Sequence, residues 1–177
     1  MLFTISGCQS SMRGSATDRE SKYSLKKRNS HISCLPAKGS DPRACRLPLK
    51  VSDRTVNQLL NSIDESLGTR YRPGGAAPEG YDCSGYTSYL YKKHFRMLLP
   101  RTAGEQALFG TLVQKGELQP GDLLFFSIGG RVIDHVGIFL GKNRFAHAAN
   151  SGVRISSLEE SYFSQRYILA SRIISPE

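Results

Sequence analysis

From Val51 onward the apolar residues fall into two successive periods. Val56, Leu59, Leu60, Ile63 and Leu67 stand at i, i+3, i+4, i+7 and i+11, the stripe of a core-facing amphipathic helix that Ser52 or Asp53 can cap and Gly68 can stop. A Gly/Pro-rich loop over residues 71–80 leads into a second helix, capped by Asp82 and running to about His94, with Tyr86, Tyr89 and Leu90 on one side. Thr102 and Glu105 have capping-box spacing and predict a third helix. After the Pro120-Gly121 turn the pattern becomes extended: residues 122–127, 134–140, 145–149, 153–156 and 167–174 are short aromatic and β-branched runs separated by Gly or Asn. Residues 141–144 read as a hairpin turn, and Ser157 with Glu160 predicts one more short capped helix. Helices first and an antiparallel meander afterwards make an α+β fold.

Upstream, residues 9–50 show no sustained period of either kind and are rich in Ser, Lys and Arg, including the run Lys26-Lys27-Arg28. Such a composition buries too little apolar surface to offset chain entropy, so residues 1–50 are expected to be a flexible basic arm and residues 51–177 the folded domain. Charge sharpens this division. Of the net +9, ten basic and three acidic residues fall within the first fifty positions, and the remainder is nearly neutral. The arm's charge suits a solvated tether, or attraction to anionic lipid headgroups or wall polymers. Nucleic-acid binding is excluded as a function class, because the arm holds a single Tyr and no recognition module. No run approaches the roughly 18 apolar residues of a membrane span and no long-period repeat occurs. One domain of ordinary size remains.

Candidate chemistry centres on Cys83. As the residue after a capping Asp it would sit at a helix N-terminus, where unpaired N–H groups favour thiolate; the plain alternative is a buried structural cysteine. His135 and His147 lie on runs joined by the 141–144 turn, hence on neighbouring strands. Val136, Ile138 and Leu140 alternate away from His135, which therefore projects from the opposite face. Each histidine alone reads as a packing residue; a cysteine at a helix start with two such histidines is the set that thiol catalysis needs, nucleophile, base and orienting group. A metal site is not expected, since no Cys-x-x-Cys or His-x-x-x-His spacing occurs. Gly74-Gly75 and Gly129-Gly130 lack the Lys or spacing of phosphate loops.

Six blocks in order carry a family resemblance. Residues 68–75 (GTRYRPGG), 81–86 (YDCSGY), 99–102 (LPRT), 118–126 (LQPGDLLFF), 134–141 (DHVGIFLG) and 145–148 (FAHA) resemble the NlpC-type cell-wall cysteine peptidases over roughly residues 55–174. The resemblance implies a papain-like fold, N-terminal helices on a five- to six-stranded, mostly antiparallel sheet. It also implies a cysteine endopeptidase acting on the stem peptides or cross-links of peptidoglycan, its one macromolecular partner, as a monomer without cofactor. Position by position, Cys83 matches the nucleophile, His135 the general base and His147 the residue that orients it. Tyr71 matches a Tyr beside the nucleophile, and Asp82 and Ser84 fall in the block that can touch substrate, although capping alone explains Asp82. Arg101 matches a block without a physical role to assign, and Pro73 departs from the residues commoner there. The same residues would serve an N-acetylmuramoyl-L-alanine amidase or an acyltransferase, and a silent wall-binding module is the alternative outside enzymes.

Residues Ile5-Ser6-Gly7-Cys8 resemble the lipobox of bacterial prolipoproteins. About five apolar or small residues and no Lys or Arg precede the box, short of a full secretory signal. The expectation is nevertheless a cell-envelope protein, periplasmic or membrane-anchored by lipidation of Cys8 together with the basic arm. Cys34 and Cys45 can pair as a disulfide on export or remain two free thiols.

Overall fold

The computed structural model describes residues 28–37 and 41–177, so Cys8 and its lipobox lie outside the described residues. In chain order the elements are β1 (His31–Cys34), β2 (Arg43–Arg46), β3 (Leu49–Val51), α1 (Asp53–Ser66), β4 (Ala76–Ala77), β5 (Gly80–Tyr81), α2 (Cys83–Phe95), α3 (Ala103–Gln106) and β6 (Thr111–Val113). There follow β7 (Leu123–Phe126), β8 (His135–Gly141), β9 (Arg144–Ala149), β10 (Gly152–Ser157), α4 (Ser161–Ser164), β11 (Tyr167–Arg172) and β12 (Ile174–Pro176).

Helix α1 begins where its sequence says it should, with the Ser52 side chain accepting from the Thr55 N–H. It ends one residue sooner than the apolar stripe. Leu67 leaves the helix with ψ 137° and is 44% exposed, so the last position of the stripe is not core. Ser157 likewise does not start a helix; its N–H donates to the Glu160 carboxylate at 2.7 Å, and α4 begins only at Ser161.

The principal sheet has six strands in the order β10-β9-β8-β7-β11-β6, every neighbouring pair antiparallel. Its two faces hold different cores. Leu123, Phe125, Val136, Ile138, Ala146 and Ala148 pack with Leu59, Ile63, Tyr86 and Leu90 of the helices. The far face carries Leu124, Phe126, Phe139 and Phe145, closed by Phe163 of α4. Each fully buried side chain of this kind contributes about 1.5–3 kcal/mol, which is what fixes α2 on β8 and β9. The expected α+β architecture is thus observed, with β6 an edge strand that the apolar pattern did not reveal.

The arm expected to be flexible is structured from Arg28 on among the described residues. β1 and β2 form an antiparallel hairpin, closed by a Cys34–Cys45 disulfide. Ile32, Cys34 and Leu47 are buried in the helix-side core. Arg28, last of the basic run, donates to the carbonyls of Gly110 and Phe109 and to Ser171 Oγ. The hairpin escaped the sequence pattern because it needs only the alternation Ile32/Cys34, set among polar residues and stabilised by a covalent link and long-range contacts.

Asp122 and Arg172 lock β7 to β11. The guanidinium donates to both carboxylate oxygens at 2.8 and 2.9 Å, and Asp122 also accepts from the Gln119 N–H while only 1% exposed. Removing one partner leaves a buried charge uncompensated. Arg172→Met is therefore expected to lower the unfolding free energy by about 3–5 kcal/mol, read from urea midpoints; a loss under about 1 kcal/mol would mean that the carboxylate relaxes into water.

Candidate active site

The nucleophile candidate is positioned by the start of α2. Asp82 is its N-cap, with φ −92° and ψ 176°, and its Oδ1 accepts from the Gly85 N–H at 2.7 Å. Its Oδ2 accepts from the Gly74 N–H at 3.0 Å, and the Asp82 N–H donates to the Gly75 carbonyl. One side chain thus fastens the helix to the loop that carries Tyr71. Gly85 permits that contact: a Cβ there would stand 1.9 Å from the Gly75 oxygen. Its role in the Asp-Cys-Ser-Gly block is close approach, not backbone freedom.

Arg101 now has a role. Its guanidinium pairs with both oxygens of Asp82 and donates to Ser84 Oγ at 3.0 Å. Gln106, fully buried, was missed from sequence; its Nε2 donates to the carbonyls of Ser84 and Pro100 and to Ser88 Oγ, and its Oε1 accepts from Thr87. Together they clamp the 99–102 segment onto the first turn of α2. A polar residue at the buried end of a capped helix, Ala-Gly-Glu-Gln, was the only local signal.

Cys83 is buried, and its thiol donates to the Asp134 carbonyl at 3.7 Å. Asp134 is another residue not singled out from sequence. Its carboxylate accepts from the N–H groups of Ile128 and Gly129, each at 2.7 Å, which folds the preceding loop and fixes where β8 begins. His135, the next residue, bonds through Nε2 to His147 Nδ1 at 2.9 Å, and His147 Nε2 bonds to Ser156 Oγ at 3.1 Å. The thiol therefore touches the backbone beside His135; among the described residues it makes no hydrogen bond to the imidazole. Cys83 belongs to the helix-side core while the His147 ring packs on the far face, 5.0 Å from Phe145 and 5.2 Å from Phe163. Nucleophile and histidines meet across the start of β8.

Two cavities flank this point. One, about 780 Å³, is lined by Asp82, Cys83, Ser84 and Arg101, together with Ile133 and Asp134. The other, about 450 Å³, is lined by His135, His147, Arg154, Ser156, Glu160 and Tyr162 among others. Tyr71 lines both, so it forms the ridge between them.

Burial sets the protonation of the set. It pushes the Cys83 thiol up, a tendency that the Asp82 charge reinforces and the Val136 N–H opposes. It brings His135 down to about 4, and His147, also facing His135 and Arg154, down to about 3. The resting groups are a neutral thiol and two neutral imidazoles, not the thiolate expected from the helix start alone. The Tyr71 hydroxyl is raised by burial and by Cys83 and Asp82 beside it. Burial would raise Asp82 too, but the hydrogen bonds from Arg101 and Gly85 outweigh it and hold the carboxyl below its ordinary value.

A family model described as the NlpC/P60 family matches residues 68–172. A protein of Escherichia coli (strain K12) named "Probable endopeptidase NlpC" is 44% identical over 142 residues, covering 79% of this chain and 90% of the relative. The same organism's "Murein DD-endopeptidase MepS/Murein LD-carboxypeptidase" is 40% identical over 122 residues, covering 67% of this chain and 63% of the relative. A crystal structure of an NLP/P60-family protein similar to lipoprotein, from Staphylococcus aureus, superposes with a TM-score of 0.65 at 33% identity, covering 73% of this chain and 44% of that one. The chain spans less than two thirds of the murein endopeptidase and less than half of the staphylococcal chain.

Histidines held neutral below their ordinary value of about 6.5 bind fewer protons than they do in the unfolded chain. Stability should therefore fall as the pH drops from about 6.5 towards the native values of about 4 and about 3. Denaturant midpoints between pH 7 and pH 4.5 check this, and the slope should flatten in a His135→Asn, His147→Asn double variant. Alkylation of Cys83 by iodoacetamide should be slow at pH 7 and climb only above the ordinary thiol range of about 8.5; a rate already at its plateau at pH 7 would show a resting ion pair instead.

Proposed function

The chain belongs to the NlpC/P60 family, and on that premise we propose that it is a cysteine peptidase that hydrolyses peptide bonds in bacterial peptidoglycan. A relative named as a murein DD-endopeptidase supports the substrate class, and one named "Probable endopeptidase NlpC" supports the reaction type. The observation that carries the mechanism is the series Cys83, Asp134 carbonyl, His135, His147 and Ser156, linked by hydrogen bonds or by adjacency in the chain.

In this reading Cys83 is the nucleophile, His135 the general base and His147 the positioning residue. For His135 Nδ1 to accept a proton, its Nε2 must carry hydrogen and donate to His147 Nδ1; His147 must then carry hydrogen on Nε2 and donate to Ser156 Oγ. Ser156 thus sets the tautomer of the base from two links away. The thiol leaves the Asp134 carbonyl and gives its proton to His135 as sulfur attacks the scissile carbonyl. The N–H groups of Cys83 and Ser84 at the start of α2 stabilise the oxyanion, and the protonated Tyr71 hydroxyl stands on the same ridge. His135 returns the proton to the leaving amine. Water, deprotonated by His135, then cleaves the thioester and restores the thiol. Asp82, Ser84 and Tyr71 contact the acyl side of the substrate, with Arg101 holding the first two in place.

The proposed location is the cell envelope, where the substrate lies, with lipidation at Cys8 and the basic arm as the means of attachment. Cys83→Ala should fold normally and lose nearly all turnover. Digests of purified muropeptides by the intact protein should yield new amino termini within the stems or cross-links; release of whole stems from muramic acid would instead mean an amidase. Ser156→Ala should lower kcat about threefold to tenfold with KM held, and an unchanged kcat would remove Ser156 from the proton path.

A further inference from the structure

His135 hands its proton to the leaving amine, so the leaving residue must occupy the cavity that His135 and His147 line, rather than the one around Asp82 and Arg101. Arg154 is the single formal cation on that cavity's wall. It pairs directly opposite His147 across β9 and β10, which places the two on the same face with Cβ atoms about 4.5–5.5 Å apart. Arg154 is exposed, and its guanidinium makes no hydrogen bond or salt bridge among the described residues. The cavity's one carboxylate, Glu160, accepts from the Ser157 N–H. The remaining cation nearby, Arg166, lies over the Tyr162 ring and donates to its carbonyl.

A free guanidinium beside the general acid is a carboxylate receptor by its shape: planar, permanently charged, with donors in a fork. Resting on the hydrolase reading above, we infer that Arg154 forms a leaving-group subsite selecting residues whose amine-bearing carbon also carries a free carboxylate. Two kinds of bond share this chemistry: one to a terminal amino acid, and a cross-link to the side-chain amine of a diamino acid that keeps its carboxylate on the same carbon. A stem bond whose leaving residue continues through the carboxyl on that same carbon does not, because the carbonyl there is an amide. The subsite thus directs cleavage to ends and cross-links over stem bonds whose leaving residue continues through the carboxyl on its amine-bearing carbon.

The test uses two cross-linked dimeric muropeptides, identical except that the leaving residue carries a carboxylate in one and a carboxamide in the other at the amine-bearing carbon. The protein should favour the carboxylate about tenfold or more in kcat/KM, chiefly through KM. Arg154→Ala should turn the pair over alike, and Arg154→Glu should favour the carboxamide. Equal turnover of both by the unaltered protein, or a preference that survives in Arg154→Ala, would overturn the subsite and leave the hydrolase reading intact. Turnover of neither would overturn the hydrolase reading itself.

Discussion

Everything at the site hangs on the carboxylate of Asp82. It caps α2, ties the helix to the Gly74 backbone and anchors Arg101. It satisfies an orphan N–H group of the first turn while holding the Tyr71 loop so close that a Cβ at Gly85 would stand 1.9 Å from the Gly75 oxygen. The hydrogen bonds from Arg101 and Gly85 that hold the carboxyl below its ordinary value are the same bonds that hold the helix start in place. The sulfur is thus fixed by a residue that does no chemistry.

The second constraint is the division of the groups of the proposed site between two layers. Cys83 belongs to a helix; His135, His147, Ser156 and Arg154 belong to three adjacent strands of one sheet. The aromatic cluster of Phe126, Phe145 and Phe163 packs beneath the histidines, and the burial it contributes to is what lowers their affinity for a proton. Neutral partners suit a mechanism in which the proton moves with the attack rather than before it, with less charge to be buried at rest.

Much of this was legible in the letters. Val56, Leu59 and Ile63 announced α1, Asp82 announced the start of α2, and the Thr102–Glu105 capping box is present in both its hydrogen bonds. Alternation about His135 correctly set it on the face opposite Val136 and Ile138, but the expectation that this face looks towards the helix of Cys83 is corrected: the helices pack on the Val136 and Ile138 side, and His135 lies with Phe126 and His147 on the other. Alternation could not say how far along β8 the thiol would reach, because that depends on how α2 is docked, and so the Asp134 carbonyl came as a finding. Gln106 and Ser156 were invisible for the same reason: their partners are 18 and 9 residues away, and a Gln or Ser carries no pattern until the chain has folded around it. In β7 the run Leu-Leu-Phe-Phe is buried throughout, so its two faces were not separable by period. The hairpin near Cys34 failed to show because two apolar residues are too few to stand out from a polar segment.

On the sheet the helix rests against Ala146 and Ala148, and against Val136 and Ile138. Small side chains there let α2 lie close. How α2 is seated on these side chains sets where the sulfur stands relative to the start of β8, and in the proposed mechanism the packing of the core is therefore the gauge of the distance over which the proton must pass. A methyl group added far from any substrate would lengthen that gauge by fractions of an ångström, and misplacements approaching 1 Å cost about a hundredfold in rate. In such a molecule the residues that set stability and those that set speed are the same residues, weighed on two different scales.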